Sequence, residues 1–494
     1  MAAPTYRPRT AVDALRLPLV GRLLRWRWGR LAAQSVLLVL ALAMLYDGFA
    51  GPQQAARNLA TVGAWVHYRG LVVIALLLAG NLFCMGCPFA LPRTLAKRLS
   101  LPGRRFPRAL RGKWLAIAGL LILFFLYEWL DMWASPALTA WVIVFYFVAS
   151  FALEALFQES AFCKYVCPLG TFNFLYATAA PTQIGVKNPS VCTACTGKEC
   201  VNGSYAPQTL IHIDTIPTLG DQTRAVTVTH SPQGTPGCGT LLYPPQIASN
   251  LDCTLCLDCV RACPHDNASL FLRAPGRELL ADAWPRRWDV SFLAVALAFI
   301  AITNAFAMVP PMAELQQGIA AALGLPLNAT TDAVTLLVIF GVGNVLLPGA
   351  LLLGASYASQ RAARSRHSLR EVAAVFAPAF VPLGFGIWIA HYSFHFLIAP
   401  LSIVPIAQEF LGLRGEWQAF SGSLDIGVIG LAQALALLVG FGGSLWVAQR
   451  RAQRAFGRQA FVALLPWALL LLALMWAAFG IFTLPMEMRG SLLG

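Results

Sequence analysis

Cys253-Thr254-Leu255-Cys256-Leu257-Asp258-Cys259-Val260-Arg261-Ala262-Cys263-Pro264 packs four thiols into eleven residues. The spacing is C-x2-C-x2-C-x3-C-P, which is how bacterial chains wrap an iron–sulfur cluster. Three thiolates on one tight loop suit three corners of a [4Fe–4S] cube, and the fourth, thrown outward ahead of a proline, reaches a second cube. A structural zinc site wants two well-separated C-x2-C pairs instead. Leu255, Leu257 and Val260 are apolar spacers that keep water off the sulfurs.

If Cys263 serves another cube, a partner set must lie elsewhere in the chain. Cys192, Cys195 and Cys200 stand upstream, and Cys238 stands alone before the main run. Crossed ligation then gives one cluster to Cys192, Cys195, Cys200 and Cys263. The other takes Cys253, Cys256, Cys259 and Cys238. Two features depart from the simplest pattern. The Cys195–Cys200 spacing is x4, and residues 201–237 are inserted before Cys238, which precedes Gly239 rather than a proline.

The rest of the chain reads as membrane. Hydrophobic residues make up 58% of the 494 and charged residues 12%, and the mean hydropathy is +0.65. Apolar segments near 31–49, 64–83, 114–133, 139–160, 289–309, 332–357, 372–398, 424–448 and 461–484 each approach the ~20 residues of a bilayer span. The net charge of +14 could mean nucleic acid, but its placement argues otherwise. With the amino terminus inside, only Arg57, Arg69, Arg414 and Arg489 of the 36 Lys and Arg fall outside or at an outer end, which is the positive-inside pattern. No nucleic-acid partner is called for. The expected fold is a polytopic α-helical membrane protein of about nine spans with an inserted two-cluster, ferredoxin-like α+β domain. Its parts are a basic amino terminus (1–30), a four-span half (31–177), a cytoplasmic cysteine domain (178–285) and a five-span half (286–494). The cytoplasm is reducing, so twelve cysteines read as metal ligands rather than disulfides. The first apolar run is too long for the core of a signal peptide and reads as a retained anchor.

The four-span half carries an internal echo. Asn81-Leu82-Phe83-Cys84-Met85-Gly86-Cys87-Pro88 closes the second span, and Phe162-Cys163-Lys164-Tyr165-Val166-Cys167-Pro168 closes the fourth. Both place two thiols ahead of a proline, expected to end the helix and to bring the pairs out at the inner surface. The loop 92–113 carries eight basic residues and is expected to lie against anionic headgroups.

These motifs together resemble the membrane polyferredoxins: the quinol-dehydrogenase subunit of periplasmic nitrate reduction, the iron–sulfur membrane component of nitrous-oxide reduction, and the accessory protein of cbb3-type oxidase assembly. The resemblance rests on the Phe162–Pro168 phrase, on Leu242-Tyr243-Pro244-Pro245 and on Cys263-Pro264-His265-Asp266, and covers about 60–285. It implies electron transfer in the cytoplasmic (inner) membrane of a bacterium. Departures are the Cys84–Cys87 spacing of two, the lack of an evident amino-terminal flavin domain, and five further spans.

Cys84, Cys87, Cys163 and Cys167 admit four readings: a third iron–sulfur cluster, a dithiol relay, a soft-metal site for Cu(I) or zinc, or buried structural cysteines. Thr209–Asp214 and Arg224–His230 alternate as a β-hairpin would, with His212 and His230 as surface residues. In the last five spans His391 and His395 share a helix face at i and i+4 near an outer end. With His67, Glu128 and Asp131, also at outer ends, they form a candidate quinone site, since intramembrane ionisable groups are costly and mark function. Asn304 and Asn344 read as interhelical hydrogen-bond partners. The expected function is electron transfer between a membrane quinone pool and cytoplasm-facing [4Fe–4S] clusters, shared with a soluble or membrane-bound redox partner. The contrasting reading is a copper-handling assembly factor that uses its clusters to keep the metal reduced. Whether the chain is itself an oxidoreductase is left open by the residues.

Overall fold

The computed structural model describes residues 12–26, 28–92, 96, 104–204, 234–281, 284–326, 328–415 and 417–486. In chain order, the short helix α1 (Pro18–Arg25) precedes the first long helix, α2 (Gly29–Ala50). Helix α3 (Leu59–Ala79) carries a π-helical turn at Val62–Tyr68 and is followed by the short α4 (Leu82–Gly86). Helices α5 (Trp114–Trp129), α6 (Pro136–Leu156) and α7 (Pro168–Tyr176) complete the first membrane segment. The second contains α8 (Trp288–Phe306), α9 (Pro311–Ala322), α10 (Ala329–Ala362), α11 (Leu369–Ile398), α12 (Ile403–Phe410), α13 (Ile426–Phe456) and α14 (Ala460–Phe482).

The chain is a helical membrane protein. Among the described residues, seven helical stretches are long and apolar enough to cross a bilayer. The expected nine is reached only by two further steps. Trp114–Trp129 must be counted although its 16 residues fall short of the ~20 of a full span. Ile426–Phe482 must also be divided at the 3-10 turn Gly457–Gln459, where Gly457 adopts φ +53°.

Both membrane segments share one core. Val73 and Leu76 of α3 and Leu120 and Phe124 of α5 join Leu297 of α8, Trp388 of α11 and Trp467 of α14 in a single buried cluster. Helices α8 and α11 are its hub, with 89% and 83% of their apolar windows buried against 22–39% for the other long stretches. Close packing of α11 on α13 needs glycine. A Cβ at Gly386 would lie 2.5 Å from the Ala436 carbonyl oxygen, and one at Gly440 2.8 Å from that of Pro382, the small-residue contact that lets membrane helices approach.

The cysteine module sits at one end of this bundle. Its three-stranded sheet has the order β1-β3-β2, with β1 (Val12–Asp13) and β2 (Thr182–Val186) both antiparallel to β3 (Ala268–Leu272). Ile184 and Leu270 from the sheet meet Leu255, Leu257 and Val260 from the cysteine loop in a second small core, so the apolar spacers are buried as expected. Arg273 and Glu278, both buried, pair at 2.7 Å. Arg273 also donates to Gln183 Oε1 and to the Thr178 and Ala180 carbonyls, while Glu278 accepts from Ser249 Oγ and the Asn250 N–H. This pair fixes the approach to Cys253. Removing one partner of such a pair costs roughly 3–5 kcal/mol, because a buried charge is left unmatched. Glu278→Ala should therefore lower the thermal unfolding midpoint and open the module to protease, and Arg273→Met with Glu278→Leu should cost less than Glu278→Ala alone.

Candidate functional site

The upstream cysteines and the last cysteine of the main run meet. Cys192, Cys195, Cys200 and Cys263 line one hollow of about 270 Å³, with Tyr243, Asn267 and the exposed His265 at its rim. Asn267 makes the junction: its Nδ2 donates to Cys192 Sγ at 3.0 Å, its backbone N–H to Cys263 Sγ at 3.3 Å, and its amide exchanges two further hydrogen bonds with the Asn188 backbone. Burial and the neighbouring Cys263, Cys192 and Cys195 push the Cys200 thiol up to about 12. Sequence reading passed over Asn267, since nothing local marks an asparagine four residues past a cysteine.

The second group is deeper. Cys253 and Cys259 are buried, and Cys259 lies within electrostatic reach of Cys256, Cys238 and Cys253, its thiol raised by burial first and by these neighbours second. Burial likewise pushes Cys256 up to about 11, with Asp258 adding and Arg30 opposing. The Leu242 N–H donates to Cys238 Sγ at 3.3 Å. To wrap this space the loop places Asp252, Leu255 and Leu257 at φ 69°, 51° and 60°, left-handed conformations that side-chain-bearing residues rarely adopt and that cluster at functional sites. The inserted stretch closes at its base through a Ser204–Thr235 bridge, and Cys238 N–H donates to the Cys200 carbonyl at 3.0 Å. The hairpin expected at Thr209–Asp214 and Arg224–His230, with His212 and His230, lies outside the described residues.

Helical turns end at both Cys-Pro motifs, as expected. After Gly80 (φ +78°) the chain turns back among the helices, so that Phe83 packs on Tyr68 with ring centroids 4.7 Å apart and Gly86 faces Ala33 and Leu37 of α2. Cys84, Cys87, Cys163 and Cys167 are partly buried, where the membrane helices meet the module loops. The helical turns before the prolines end at Gly86 and Val166, with Cys87 and Cys167 as their C-caps. Pro88 and Pro168 then open new turns, where a missing N–H and a fixed φ cost nothing. The four thiols are brought together: Cys163 lies within electrostatic reach of Cys167, Cys87 and Cys84, Asn173 Nδ2 donates to Cys84 Sγ at 3.5 Å, and the Gly170 N–H donates to Cys167 Sγ at 3.2 Å. A cleft of about 380 Å³, lined by Cys84, Cys163 and Glu154 on one side and by Cys256 and Thr254 on the other, joins this group to the deeper module cysteines, with Arg30 between them. Among the described residues no three His, Cys, Asp or Glu side chains converge tightly enough to hold a single metal ion.

At the far end of the bundle the expected residues have different hydrogen-bond partners. His391 and His395 are buried and touch, Nε2 to Nε2 at 3.2 Å, and His391 Nε2 also lies 3.3 Å from Met308 Sδ. His67 instead has its two ring nitrogens at 3.2 Å from the Val62 and Pro400 carbonyls. Glu128 accepts from Asn304 Nδ2 at 3.1 Å, the interhelical role expected of Asn304. Asp131 lies in the turn after α5 at φ 43°. Asn344 sits in the π-turn Val342–Leu346, its amide atoms without a partner among the described residues. The residue that sequence reading undervalued is Arg69. It is buried, donates to the Tyr127 hydroxyl at 3.1 Å, and is enclosed by the rings of Trp65, Tyr127 and Tyr392 at 4.7, 4.3 and 5.2 Å. Its signal was available: it is an arginine inside an apolar run, on the sparsely charged side of the positive-inside count. Gly70 permits the enclosure, since a Cβ there would strike Phe396 of α11 at 2.5 Å.

Asn267→Ala removes the amide from Cys192 and Asn188 while sparing the backbone N–H to Cys263. Partners of this kind are worth roughly 10–100-fold in metal affinity. Should the Cys192 group hold metal as its spacing predicts, Asn267→Ala would release it more readily by that factor in chelator competition, with the Cys253 group unchanged. Compared with protein-family models, curated proteins and solved structures, the chain matches none.

Proposed function

We propose that this chain carries electrons between the membrane and a surface-facing iron–sulfur centre, as the resemblance to membrane polyferredoxins implies. The observation that supports it most is the succession of three four-cysteine groups: Cys84, Cys87, Cys163 and Cys167 within the bundle, then Cys253, Cys256, Cys259 and Cys238, then Cys192, Cys195, Cys200 and Cys263 at the rim. The first two share one cleft, and Cys259 and Cys263 sit four residues apart on one loop. The donor sets fit the groups proposed for them. Each module set supplies the four thiols that a [4Fe–4S] cube takes, and such a cube would supply a one-electron store. The protein's own work is to keep these thiols dry, to donate N–H to sulfur from Leu242, Asn267 and Gly170, and to hold the Arg30 cation beside Cys256.

The membrane partner in this reading is a quinone pool. Arg69, with N–H groups beyond the one given to Tyr127 and an aromatic enclosure around it, is suited to hold a quinone carbonyl. Aromatic pairs stand near both groups: Tyr68, next to Arg69, packs on Phe83, next to Cys84, and Phe172 lies 5.2 Å from Trp388 of α11. The module would face the cytoplasm of a bacterial inner membrane, with a soluble or membrane-bound redox protein completing the chain.

Anaerobic purification should return about eight iron atoms per chain for two cubes, or about twelve if the Cys-Pro thiols hold a third. Cys263→Ser should remove the EPR signal of the Cys192 group and Cys238→Ser that of the Cys253 group. Loss of the same signal in both variants would overturn the crossed ligation, and iron near zero with stoichiometric zinc would end the electron-transfer reading. Arg69→Met should slow reduction of the clusters by a quinol about tenfold, the worth of one charged hydrogen bond, with dithionite reduction unchanged. Equal quinol rates would remove Arg69 from the path.

A further inference from the structure

His391 is a fully buried imidazole whose hydrogen bonding does not close. Its Nδ1 has no partner among the described residues, although buried polar atoms are normally paired. Its Nε2 faces two atoms at once, His395 Nε2 at 3.2 Å and Met308 Sδ at 3.3 Å. A thioether sulfur only accepts, and a neutral imidazole has one donor nitrogen and one acceptor. One proton on either ring nitrogen therefore serves one of the two contacts well and leaves the other poorly matched. Packing holds the arrangement regardless, with Trp388 parallel to the His391 ring within 5° and α11 placing His395 one turn further on.

We propose that His391, His395 and Met308 form a binding site for a soft monovalent metal ion, Cu(I). One cation accepts all three lone pairs that a proton cannot. The two separations from His391 Nε2 fit: with metal–nitrogen bonds of about 2.0 Å and a metal–sulfur bond of about 2.3 Å, the distances to His395 Nε2 and Met308 Sδ correspond to angles at the ion of about 106° and about 100°. The donor set selects the ion. Thioether sulfur favours Cu(I), and imidazole accepts it readily. No carboxylate is among the three donors to balance a second positive charge, and the Arg69 guanidinium acts electrostatically on both rings, which disfavours a divalent ion most. Haem is excluded as the occupant, because nitrogens 3.2 Å apart on one helix cannot take opposite faces of a porphyrin. Met308 is only half buried in the connection between α8 and α9 and gives the ion a way in. The site lies outside the stretch that resembles the polyferredoxins and does not depend on the clusters. Its presence would favour the metal-handling role over electron transfer alone.

The test uses full-length protein in detergent, anaerobic, with iron counted in every sample and Cu(I) delivered from a chromophoric Cu(I) chelator. Wild type should bind one equivalent more than His391→Ala or His395→Ala. Met308→Leu, which keeps side-chain volume, should weaken that equivalent at least tenfold while iron content and Zn(II) uptake stay unchanged. X-ray absorption of this equivalent should show mixed nitrogen and sulfur neighbours. Equal Cu(I) uptake by wild type and Met308→Leu would assign all copper to the cysteines and overturn the site. So would a slowed quinol reaction in Met308→Leu without any change in copper. Low iron in wild type with the His–Met equivalent intact would instead sink the cluster reading alone.

Discussion

Two hydrogen bonds define how the module meets the membrane. Asn81 Nδ2 donates to the Cys253 carbonyl at 3.0 Å, and Lys164 Nζ donates to the Thr240 carbonyl at 2.6 Å. Each donor belongs to a Cys-Pro motif and each acceptor to the loops that carry the module cysteines. The membrane thiols and the module thiols are thus placed by the same backbone segments, and moving one set moves the other. Gly80 is required at this joint, since a Cβ there would lie 2.7 Å from Thr182 Oγ1. Lys113 extends the junction through its ion pair with Asp252 and its bond to the Lys164 carbonyl.

The same joint explains how the strained loop persists. Three residues between 252 and 257 hold left-handed conformations that an isolated loop would relax. They are over-determined from outside: Leu255 and Leu257 are buried to 2% exposure in the module core, and Arg261 donates to the Cys256 carbonyl at 2.9 Å. From the opposite side Arg451 of α13 donates to the Leu279 and Ala281 carbonyls at 3.1 and 2.7 Å and to those of Ala374 and Val375. The last helices therefore brace the module, which gives the added membrane segment a structural reason to exist.

Much of this was readable beforehand because it rests on local pattern. Apolar length marks the long helices, and the spacing of Cys253, Cys256, Cys259 and Cys263 separates a thiol meant for its own loop from one meant for a neighbour. What escaped depends on contacts between distant stretches. Asn267 matters because strand pairing sets it beside Asn188, and Met308 because α8 ends against α11. The reversal at Gly80, with Phe83 packed back on Tyr68, escaped for the same reason.

Charge inside the bundle follows one rule at both ends. Arg30, partly buried beside Cys256 and paired with Asp258, and Arg69, buried and within electrostatic reach of Glu128, are guanidiniums next to the two candidate sites. In a low-dielectric interior such a cation acts strongly on whatever charge develops beside it. Beside Cys256 it offsets the negative charge of Asp258. Near neutral imidazoles it opposes a divalent ion and tolerates a monovalent ion or a carbonyl oxygen. Placing arginine rather than lysine at both sites keeps the charge fixed, since a guanidinium does not give up its proton on burial. Each end of the bundle therefore carries a fixed positive charge beside its candidate site, supplied by the same residue type.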